Sequence, residues 1–346
     1  MYNRSLIIKS FEHHGAHSGY DQIGKYLPDV NFIEYSVAEW IKTGISTWPS
    51  LLRKVAKKVL QKKEKYMELK LLFPVLLRKK NLFHFLYAEN HYSGLLFNVI
   101  KGNSKIICTY HQPPSFFEIG ISPQKEHRSY LNIDLVIVLS KSLIPIMKLL
   151  TKKDNVVFIP HGVDTNYFSP NMKVLEKETE VLTVGNWLRD FELLRKISLE
   201  IFNLRKDILF RVVSLKKNMN YFMDCPNVVF EYDLSDDELL ERYRRAKLLL
   251  LPLKDTVANN ALLEGMSCGL PSIISNVGAV SDYSNSECSM LVNENSPDKF
   301  IRGIFSIIDR SDVLQEMENK SRERCINEFD WSKIAEKHLY YYNLLS

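Results

Sequence analysis

Short apolar segments recur along the chain, and the longer amphipathic segments between them constrain the fold more than any other feature. Four occur before residue 161 and five after residue 179: 5–11, 105–110, 134–140 and 155–160, then 180–185, 208–214, 227–232, 247–252 and 271–276. Strands that are apolar on both faces are typical of parallel sheets covered by helices. The intervening segments favour helices, as at 235–246, where Ser235 would be the N-cap. The pattern predicts two consecutive doubly wound α/β domains.

The boundary between these domains is expected in the polar, turn-rich segment 160–180. A chain of 346 residues is long enough for two hydrophobic cores. We therefore predict an N-terminal domain over 1–165 and a C-terminal domain over 166–330. Ligands of doubly wound sheets bind beyond the carboxyl ends of the strands, so two such domains in tandem are expected to share a cleft.

Cysteine usage and hydropathy favour a cytoplasmic protein. The five cysteines lack Cys-x-x-Cys spacing and are odd in number, as expected for reduced thiols. The apolar run 6–8 is too short for a signal-peptide core, and the aliphatic run 248–251 stops at Pro252, so no membrane span is predicted. Only His13, His14 and His17 cluster as possible metal ligands, and we predict a polar loop near a ligand there rather than a metal site.

The segment 42–80 carries most of the positive charge. It contains 12 Lys and Arg residues against two acids, whereas the whole chain has a net charge of +5. Leucine, valine and alanine recur at helical spacing over 52–59, opposite a basic face. A solvated helix face and a patch that binds an anionic membrane surface both fit this pattern. Nucleic acid is disfavoured, because no recognition motif or interleaved aromatic residues accompany the charge.

The stretch VANNALLEGMSCGLP, at 257–271, predicts a helix over about 260–268. Asn259 or Asn260 would cap its start, while Gly269 and Pro271 would end it. The first turn of a helix presents free backbone N–H groups and the positive end of the helix dipole, which together suit a phosphate group. The candidate phosphate-binding residues are therefore Asn259, Asn260, Ala261 and Leu262.

Glu264 is the one acid of this apolar helix. It lies one turn after Asn260 on the same face, about 6 Å further along the helix axis. A carboxylate there could accept hydrogen bonds from two neighbouring hydroxyls, such as a ribose diol next to a diphosphate. The alternative is a glutamate that simply faces solvent. The stretch therefore favours nucleotide binding.

Several motifs resemble those of retaining glycosyltransferases of family four. The segment 234–283, LSDDELLERYRRAKLLLLPLKDTVANNALLEGMSCGLPSIISNVGAVSDY, resembles their donor-binding region. PHGVDTNYFSP resembles the signature between their domains, and VGNWLRDFELL resembles the first strand, loop and helix of their second domain. GAHSGYDQIGKYL and TYHQPP resemble loops of their first domain. The likeness is strongest over about 155–285.

The resemblance implies a GT-B fold, in which two Rossmann-like domains face a cleft. The C-terminal domain would bind a nucleotide-sugar, the N-terminal domain would contact a glycan or lipid-linked glycan acceptor, and the last helix, 331–346, would pack back on the N-terminal domain. Family members transfer the sugar with retention of configuration, generally without a metal or other cofactor. They are thought to do so by same-face attack, in which the departing phosphate takes the acceptor's proton. In keeping with this, the chain has no Asp-x-Asp motif.

The resemblance also implies roles for individual residues. Arg189 would stabilise the departing diphosphate, with Lys216 as a weaker candidate, although Arg189 could instead pair with Asp190 or Glu192 at the surface. His111 resembles the family histidine that approaches the donor sugar. The remaining donor-binding candidates are Gly15 and Gly19, which would let the backbone approach the ligand, and Tyr232, whose turn resembles the loop that contacts the nucleobase. His161 is expected to shape the domain connection.

The chain departs from the family pattern at two positions. Thr256 stands where the family usually has a glutamate that contacts the donor sugar, and Asn186 stands where it usually has a basic residue. We still place Thr256 among the donor-binding residues. The main hypothesis is a cytoplasmic, retaining glycosyltransferase of surface polysaccharide or glycolipid synthesis that is peripheral at the inner face of the membrane. The alternative hypothesis is a catalytically impaired nucleotide- or glycan-binding protein. A third hypothesis is a nucleotide-sugar epimerase or a phosphorylase.

Overall fold

The computed structural model describes residues 2–8, 16–34, 68, 71–72, 74–77, 80–94, 96–119, 130–171 and 179–346. Gly15 and most of the basic segment 42–80, including the predicted amphipathic face at 52–59, lie outside these residues. Contacts divide the chain into two compact units. Unit 1 comprises Met1–His13, Tyr20–Ile159 and Ala335–Ser346, and unit 2 comprises His14–Gly19 and Pro160–Ile334.

Each unit is built on one six-stranded parallel sheet. The strands of unit 1 are β1 (Asn3–Ile8), β2 (Val30–Glu34), β3 (Asn81–Phe85), β4 (Lys105–Tyr110), β5 (Leu135–Val138) and β6 (Val156–Phe158). Those of unit 2 are β7 (Glu180–Val184), β8 (Leu209–Val213), β9 (Val228–Glu231), β10 (Leu248–Leu251), β11 (Ser272–Ser275) and β12 (Ser289–Val292).

The strand orders place one reversal point in each sheet. Unit 1 has the order β2-β1-β3-β4-β5-β6, and unit 2 has the order β12-β11-β10-β7-β8-β9. The chain thus winds outwards in both directions from β1 and β3 in unit 1, and from β7 and β10 in unit 2. Because the connections on the two sides of such a point cover opposite faces of the sheet, a crevice opens there beyond the carboxyl ends of the strands. The segments that follow these four strands are therefore the first place to look for a binding site.

Helices cover the sheets. The α-helices are α1 (Ala88–His91), α2 (Pro114–Ile119), α3 (Leu143–Thr151), α4 (Phe191–Leu204), α5 (Asp236–Arg245), α6 (Asn260–Ser267), α7 (Val280–Tyr283), α8 (Pro297–Ile307), α9 (Ser311–Arg324) and α10 (Trp331–Leu345). The described residues also include the 3₁₀-helices Tyr20–Tyr26 and Lys216–Phe222, the π-helical turn Cys325–Phe329 and helical residues between 68 and 76. Within the described residues, no helix is both long and apolar enough to cross a membrane.

Local sequence signals explain where the helices of unit 2 begin. Ser235 caps α5 with a full capping box, in which its hydroxyl accepts from the Glu238 N–H and the Glu238 carboxylate accepts from the Ser235 N–H. Asn259 caps α6, and Gly269 follows its end with φ +71°. These starts match the helices predicted at 235–246 and 260–268. The caps fix which residues of α6 have free backbone N–H groups.

The predicted fold class is confirmed, because both units are doubly wound parallel α/β structures. All nine predicted strands are present, but β2, β3 and β12 were missed. Strand β3 was missed because Asn81 and His84 interrupt its apolar character, although both side chains are fully buried and hydrogen-bonded. Strand β12 has only four residues, and β2 is an edge strand that ends in Glu34. A hydrophobic pattern alone does not reveal a central strand whose buried polar side chains are hydrogen-bonded to groups on other elements.

Candidate functional site

The start of α6 forms one side of the candidate site in unit 2. The Oδ1 of Asn259 accepts a hydrogen bond from the Leu262 N–H at 3.2 Å, which leaves the side chain fixed at the N-cap. Ala261 and Leu262 are buried in the hydrophobic core, and the cap occupies the Leu262 N–H, so of these two residues only Ala261 offers a backbone N–H to a ligand. Asn260, by contrast, lines an open cleft. The helix start thus keeps the backbone features of the predicted phosphate site, with Asn259 and Asn260 as its polar side chains.

Glu264 does not face solvent, so the alternative of an exposed glutamate is wrong. Its side chain is buried and accepts two hydrogen bonds, one on each oxygen. Oε2 accepts from the Tyr243 hydroxyl at 2.8 Å, and Oε1 accepts from the Ser18 hydroxyl at 3.0 Å. Burial raises the pKa of Glu264 to about 7, against the lowering effect of the two hydroxyls. A carboxylate has about four acceptor sites, so two remain after these contacts.

Arg189 lies at the reversal point of the unit 2 sheet, in the segment after β7. Its Nε donates to the Val184 carbonyl at 2.9 Å, Nη1 to the Trp187 carbonyl at 3.2 Å, and Nη2 to Asn259 Oδ1 at 3.2 Å. All three partners are uncharged. In the part of the chain that the structure describes, no carboxylate lies within 4 Å of this guanidinium, and its loss of hydration lowers the pKa of Arg189 to about 10.

The suggested ion pair of Arg189 with Asp190 is therefore wrong. Asp190 is the N-cap of α4, and its carboxylate accepts from the Leu193 N–H at 3.1 Å. Backbone hydrogen bonds from Asp190 N–H to Pro252 O and from Lys254 N–H to Leu188 O join the segments after β7 and β10. The guanidinium is thus held in place by neutral groups while its charge has no carboxylate partner there.

Gly185 makes room for the guanidinium. It has φ +100°, a conformation that side chains rarely adopt, and a Cβ atom at this position would lie 2.7 Å from Arg189 Nη2. Leu188, with φ +57°, is a second residue of this turn in the left-handed region, which is uncommon for a bulky side chain. The backbone after β7 is therefore shaped around Arg189, and the segment VGNWLR forms one structural element.

A small cleft lies beside Glu264 and the start of α6. It is lined by His17, Ser18, Gly19, His161, Gly162, Val163, Asn260, Leu263, Glu264 and Trp331, all of them in unit 2. Gly19 has φ +101°, so the backbone there adopts a conformation suited to glycine. The segment 16–19 is held by hydrogen bonds between the Ala16 N–H and Asp236, between His17 and Asp164 and between the Ser18 hydroxyl and Glu264, and by stacking of the His17 ring on Tyr167.

The other predicted residues of unit 2 make contacts of their own. Lys216 follows β8 and Tyr232 follows β9, and the Lys216 ammonium sits 5.2 Å from the centre of the Tyr232 ring, a cation–π contact. Thr256 is buried, with its hydroxyl 3.4 Å from the Val257 carbonyl and its own carbonyl accepting from the Ala279 N–H. His161 contacts the Gly162 carbonyl and the Trp331 ring.

His111 belongs to unit 1, where it follows β4. Its Nε2 lies 2.7 Å from the Leu86 carbonyl, an acceptor, so this nitrogen carries a hydrogen. The ring stacks on Tyr87 at 4.5 Å between centroids and meets the edge of Tyr20 at 4.9 Å. His111 is therefore held in one orientation at the carboxyl end of its strand.

Three polar residues of these sites were missed at the level of sequence. Ser18 and Tyr243 hold Glu264 from segments 246 and 21 residues away, and Glu89 accepts from the His111 N–H at 3.2 Å. Ser18 and Tyr243 lie within segments quoted above, but neither was assigned a role there, and Glu89 lies in none of these segments. Among the described residues, no three His, Cys, Asp or Glu side chains form a group that could hold a metal ion.

Sequence comparison identifies the central part of unit 2. Residues 180–310 match the family described as Glycosyl transferases group 1. This segment is a glycosyl transferases group 1 domain. It contains β7 to β12 and the site residues Arg189, Asn259 and Glu264, whereas Ser18 and His161 lie outside the matched residues. Among curated proteins, none matches the chain in sequence.

Solved structures of glycosyltransferases share the fold of this chain over nearly its whole length. Sucrose-phosphate synthase from Thermosynechococcus elongatus has a TM-score of 0.74 at 18% identity, covering 100% of this chain and 99% of its own. A glycosyltransferase from Rickettsia africae has a TM-score of 0.66 at 15% identity, covering 99% and 98%. HepE from Anabaena, solved in complex with UDP-glucose, has a TM-score of 0.70 at 11% identity, covering 99% of both chains. The architecture is thus GT-B.

Proposed function

We propose that the protein is a retaining glycosyltransferase that moves a sugar from a nucleotide-sugar to a glycan or lipid-linked glycan. The observation that carries this proposal is the presence of two groups at one place: Arg189, whose guanidinium has no carboxylate partner among the described residues, and Glu264, a carboxylate with spare acceptor sites. Both flank the start of α6, at the reversal point of a sheet in a glycosyl transferases group 1 domain. Such a pair suits the two ends of a nucleoside diphosphate.

Asn259 strengthens the assignment of the diphosphate to this place. Its Nδ2 is buried and has no hydrogen-bond partner in the described parts of the chain, while its Oδ1 is bound to Arg189. A buried amide N–H without a partner is costly, and an anionic oxygen would satisfy it. Two N–H groups of Arg189 and the free backbone N–H groups of α6 complete a set of donors suited to the same anion.

The chemistry follows from where charge develops. When the sugar–phosphate bond breaks, the electron pair goes to the diphosphate and positive charge spreads over the sugar ring. Arg189, Asn259 and the N-terminus of α6 would stabilise the diphosphate, in the place that a metal ion takes in other enzymes. The acceptor hydroxyl forms the new bond on the same face, and the departing phosphate takes its proton. No protein nucleophile is needed in this scheme, and His111 would contact the donor sugar.

A panel of nucleotides tests the proposal. We expect a selective rise in melting temperature with one of UDP, GDP, ADP or CMP, because a ligand at a hundred times its dissociation constant adds about 2.7 kcal/mol to the free energy of unfolding. The common nucleotide-sugars of these nucleotides would then be tested in the same way. A folded sample whose melting temperature responds to no member of either panel would contradict nucleotide-sugar binding. UDP comes first, because HepE was solved with UDP-glucose.

Binding to an anionic membrane surface would place the protein at lipid-linked acceptors of surface polysaccharide or glycolipid synthesis. This part of the proposal rests on the 12 basic residues of the segment 42–80. We expect the protein to float with vesicles that contain anionic lipid and not with neutral vesicles, because each basic residue near such a surface adds about 1 kcal/mol of attraction. Replacing Arg53, Lys54, Lys57 and Lys58 by glutamine should reduce flotation. Equal flotation with both kinds of vesicle would contradict the proposal.

A nucleotide-binding protein without transfer activity is the second candidate function. Thr256 favours it, since a buried hydroxyl stands where related enzymes usually have an acid that contacts the donor sugar. Nucleotide binding without turnover against any acceptor would support this candidate, and detectable sugar transfer would end it.

A further inference from the structure

Glu89 is a carboxylate that the proposed reaction leaves unused. It lies in the short helix α1, which follows β3, next to the reversal point between β1 and β3 in the sheet of unit 1. Ligand-binding groups of doubly wound sheets gather at this position. The side chain is partly buried, and His111 follows the neighbouring strand β4.

The two oxygens of Glu89 differ in their surroundings. Oε1 accepts a hydrogen bond from the His111 N–H at 3.2 Å. Oε2 is out of contact with solvent and has no hydrogen-bond partner among the described residues. An unpaired, desolvated carboxylate oxygen is costly, and proteins rarely keep one without a function. Burial raises the pKa of Glu89 to about 7, so the carboxylate form is already disfavoured in the free protein.

The groups around Glu89 are rigid. The Tyr87 hydroxyl accepts from the Tyr20 N–H at 3.0 Å, and this bond joins the segments that follow β1 and β3. The His111 ring is fixed between Tyr87 and Tyr20 and donates to the Leu86 carbonyl. The backbone N–H that binds Glu89 Oε1 is therefore held in place by these contacts, which leaves Oε2 as the oxygen without a hydrogen-bond partner among the described residues.

We propose that Glu89 Oε2 accepts a hydrogen bond from a hydroxyl of the acceptor saccharide, which makes Glu89 an acceptor-binding residue of unit 1. The inference rests on the proposed function, which requires unit 1 to bind a hydroxyl-bearing acceptor. The ligand is expected to be a hydrogen-bond donor, because an oxygen of the ionised carboxylate only accepts. A sugar hydroxyl also remains a usable donor at pH values where Glu89 is partly neutral.

Glu89→Gln tests this role with little change of shape. The glutamine Oε1 still accepts from the His111 N–H, but the second position changes from an acceptor to a donor. The probes are the methyl β-glycosides of glucose, galactose and N-acetylglucosamine, followed by saturation-transfer NMR. We expect at least one to bind the wild type, and the variant to bind it about ten- to a hundredfold more weakly, the usual loss for a hydrogen bond to a charged group. Wild-type binding should also weaken below pH 7, and the variant should lack this dependence.

Asp154→Asn is the matched control, since it makes the same chemical change at a carboxylate of unit 1 whose side chain is 96% exposed. Unchanged glycoside binding by Glu89→Gln, or no glycoside binding by the wild type, would overturn the proposal. The nucleotide panel forms a separate arm. We expect Glu89→Gln to bind nucleotides like the wild type, whereas failure of the wild type in that arm alone would count against the proposed function and not against Glu89.

Discussion

Replacement of Arg189 by methionine is expected to weaken binding of the nucleoside diphosphate about a hundredfold, or roughly 3 kcal/mol, the upper range for hydrogen bonds to a charged group. The nucleoside monophosphate should lose much less, because the guanidinium would contact the phosphate further from the ribose. Isothermal titration of both nucleotides measures the difference. The melting temperature of the free protein should change little, since the loss of three hydrogen bonds to neutral groups is offset by removal of a poorly hydrated charge.

Arg302→Met is the control for this experiment, because Arg302 is an exposed arginine of α8 in the same unit. It should leave both affinities unchanged. If Arg189→Met lost the same factor of affinity for the diphosphate and for the monophosphate, Arg189 would act on the shape of the loop after β7 and not on the outer phosphate.

Glu264→Gln should weaken nucleotide-sugar binding about ten- to a hundredfold at pH 8 and should also remove a pH dependence. With a folded pKa of about 7, the wild-type side chain is a carboxylate above pH 7 and a carboxylic acid below it. If only the carboxylate binds the ribose diol, affinity falls by up to about tenfold for each pH unit below 7. A nucleotide-sugar is the right ligand, because its diphosphate lacks the terminal phosphate ionisation near pH 6 that a free nucleoside diphosphate has.

The same pKa makes a prediction about stability. The folded pKa lies above the ordinary value of 4.5, so the folded state holds the proton more tightly than the unfolded state. The contribution of Glu264 to stability is therefore fully present below pH 4.5 and is lost as the pH rises to about 7. Relative to the wild type, Glu264→Gln should gain stability between these values. Glu323→Gln, an exposed change in α9, should show neither effect, and a pH-independent wild-type affinity would reject the ribose role of Glu264.

The sequence predicted the architecture well because its signals are local. Buried parallel strands and capped helices leave a pattern within a few residues of the chain, as Ser235 and Asn259 show. Strand β3 left no such pattern. Its His84 is buried between the hydroxyls of Tyr342 and Thr109, 258 and 25 residues away along the chain, so its fit to the sheet depends on contacts that only the fold creates.

The candidate site was predictable only in part, for the same reason. The position of Glu264 one turn into a capped helix could be read directly, and the resemblance added Arg189. That Glu264 is buried could not be deduced, because Tyr243 and Ser18 reach it from a different helix and a distant loop. The sequence likewise could not predict that Arg189 has no carboxylate partner among the described residues. Asp190 is its neighbour in sequence, but Asp190 serves as the cap of α4.

The hydroxyls of Tyr243 and Ser18 also bear on the entropy of binding. A glutamate loses side-chain freedom when it is fixed, at a cost of up to about 2 kcal/mol, and in this protein much of that cost is already met during folding. Glu264 is therefore preorganised, and its remaining acceptor sites point in set directions before any ligand arrives. Tyr243 would then contribute to the affinity for a ribose although it does not contact the ribose, because it holds Glu264 in position. Such residues determine how tightly a site binds, although a survey of ligand contacts alone would never identify them.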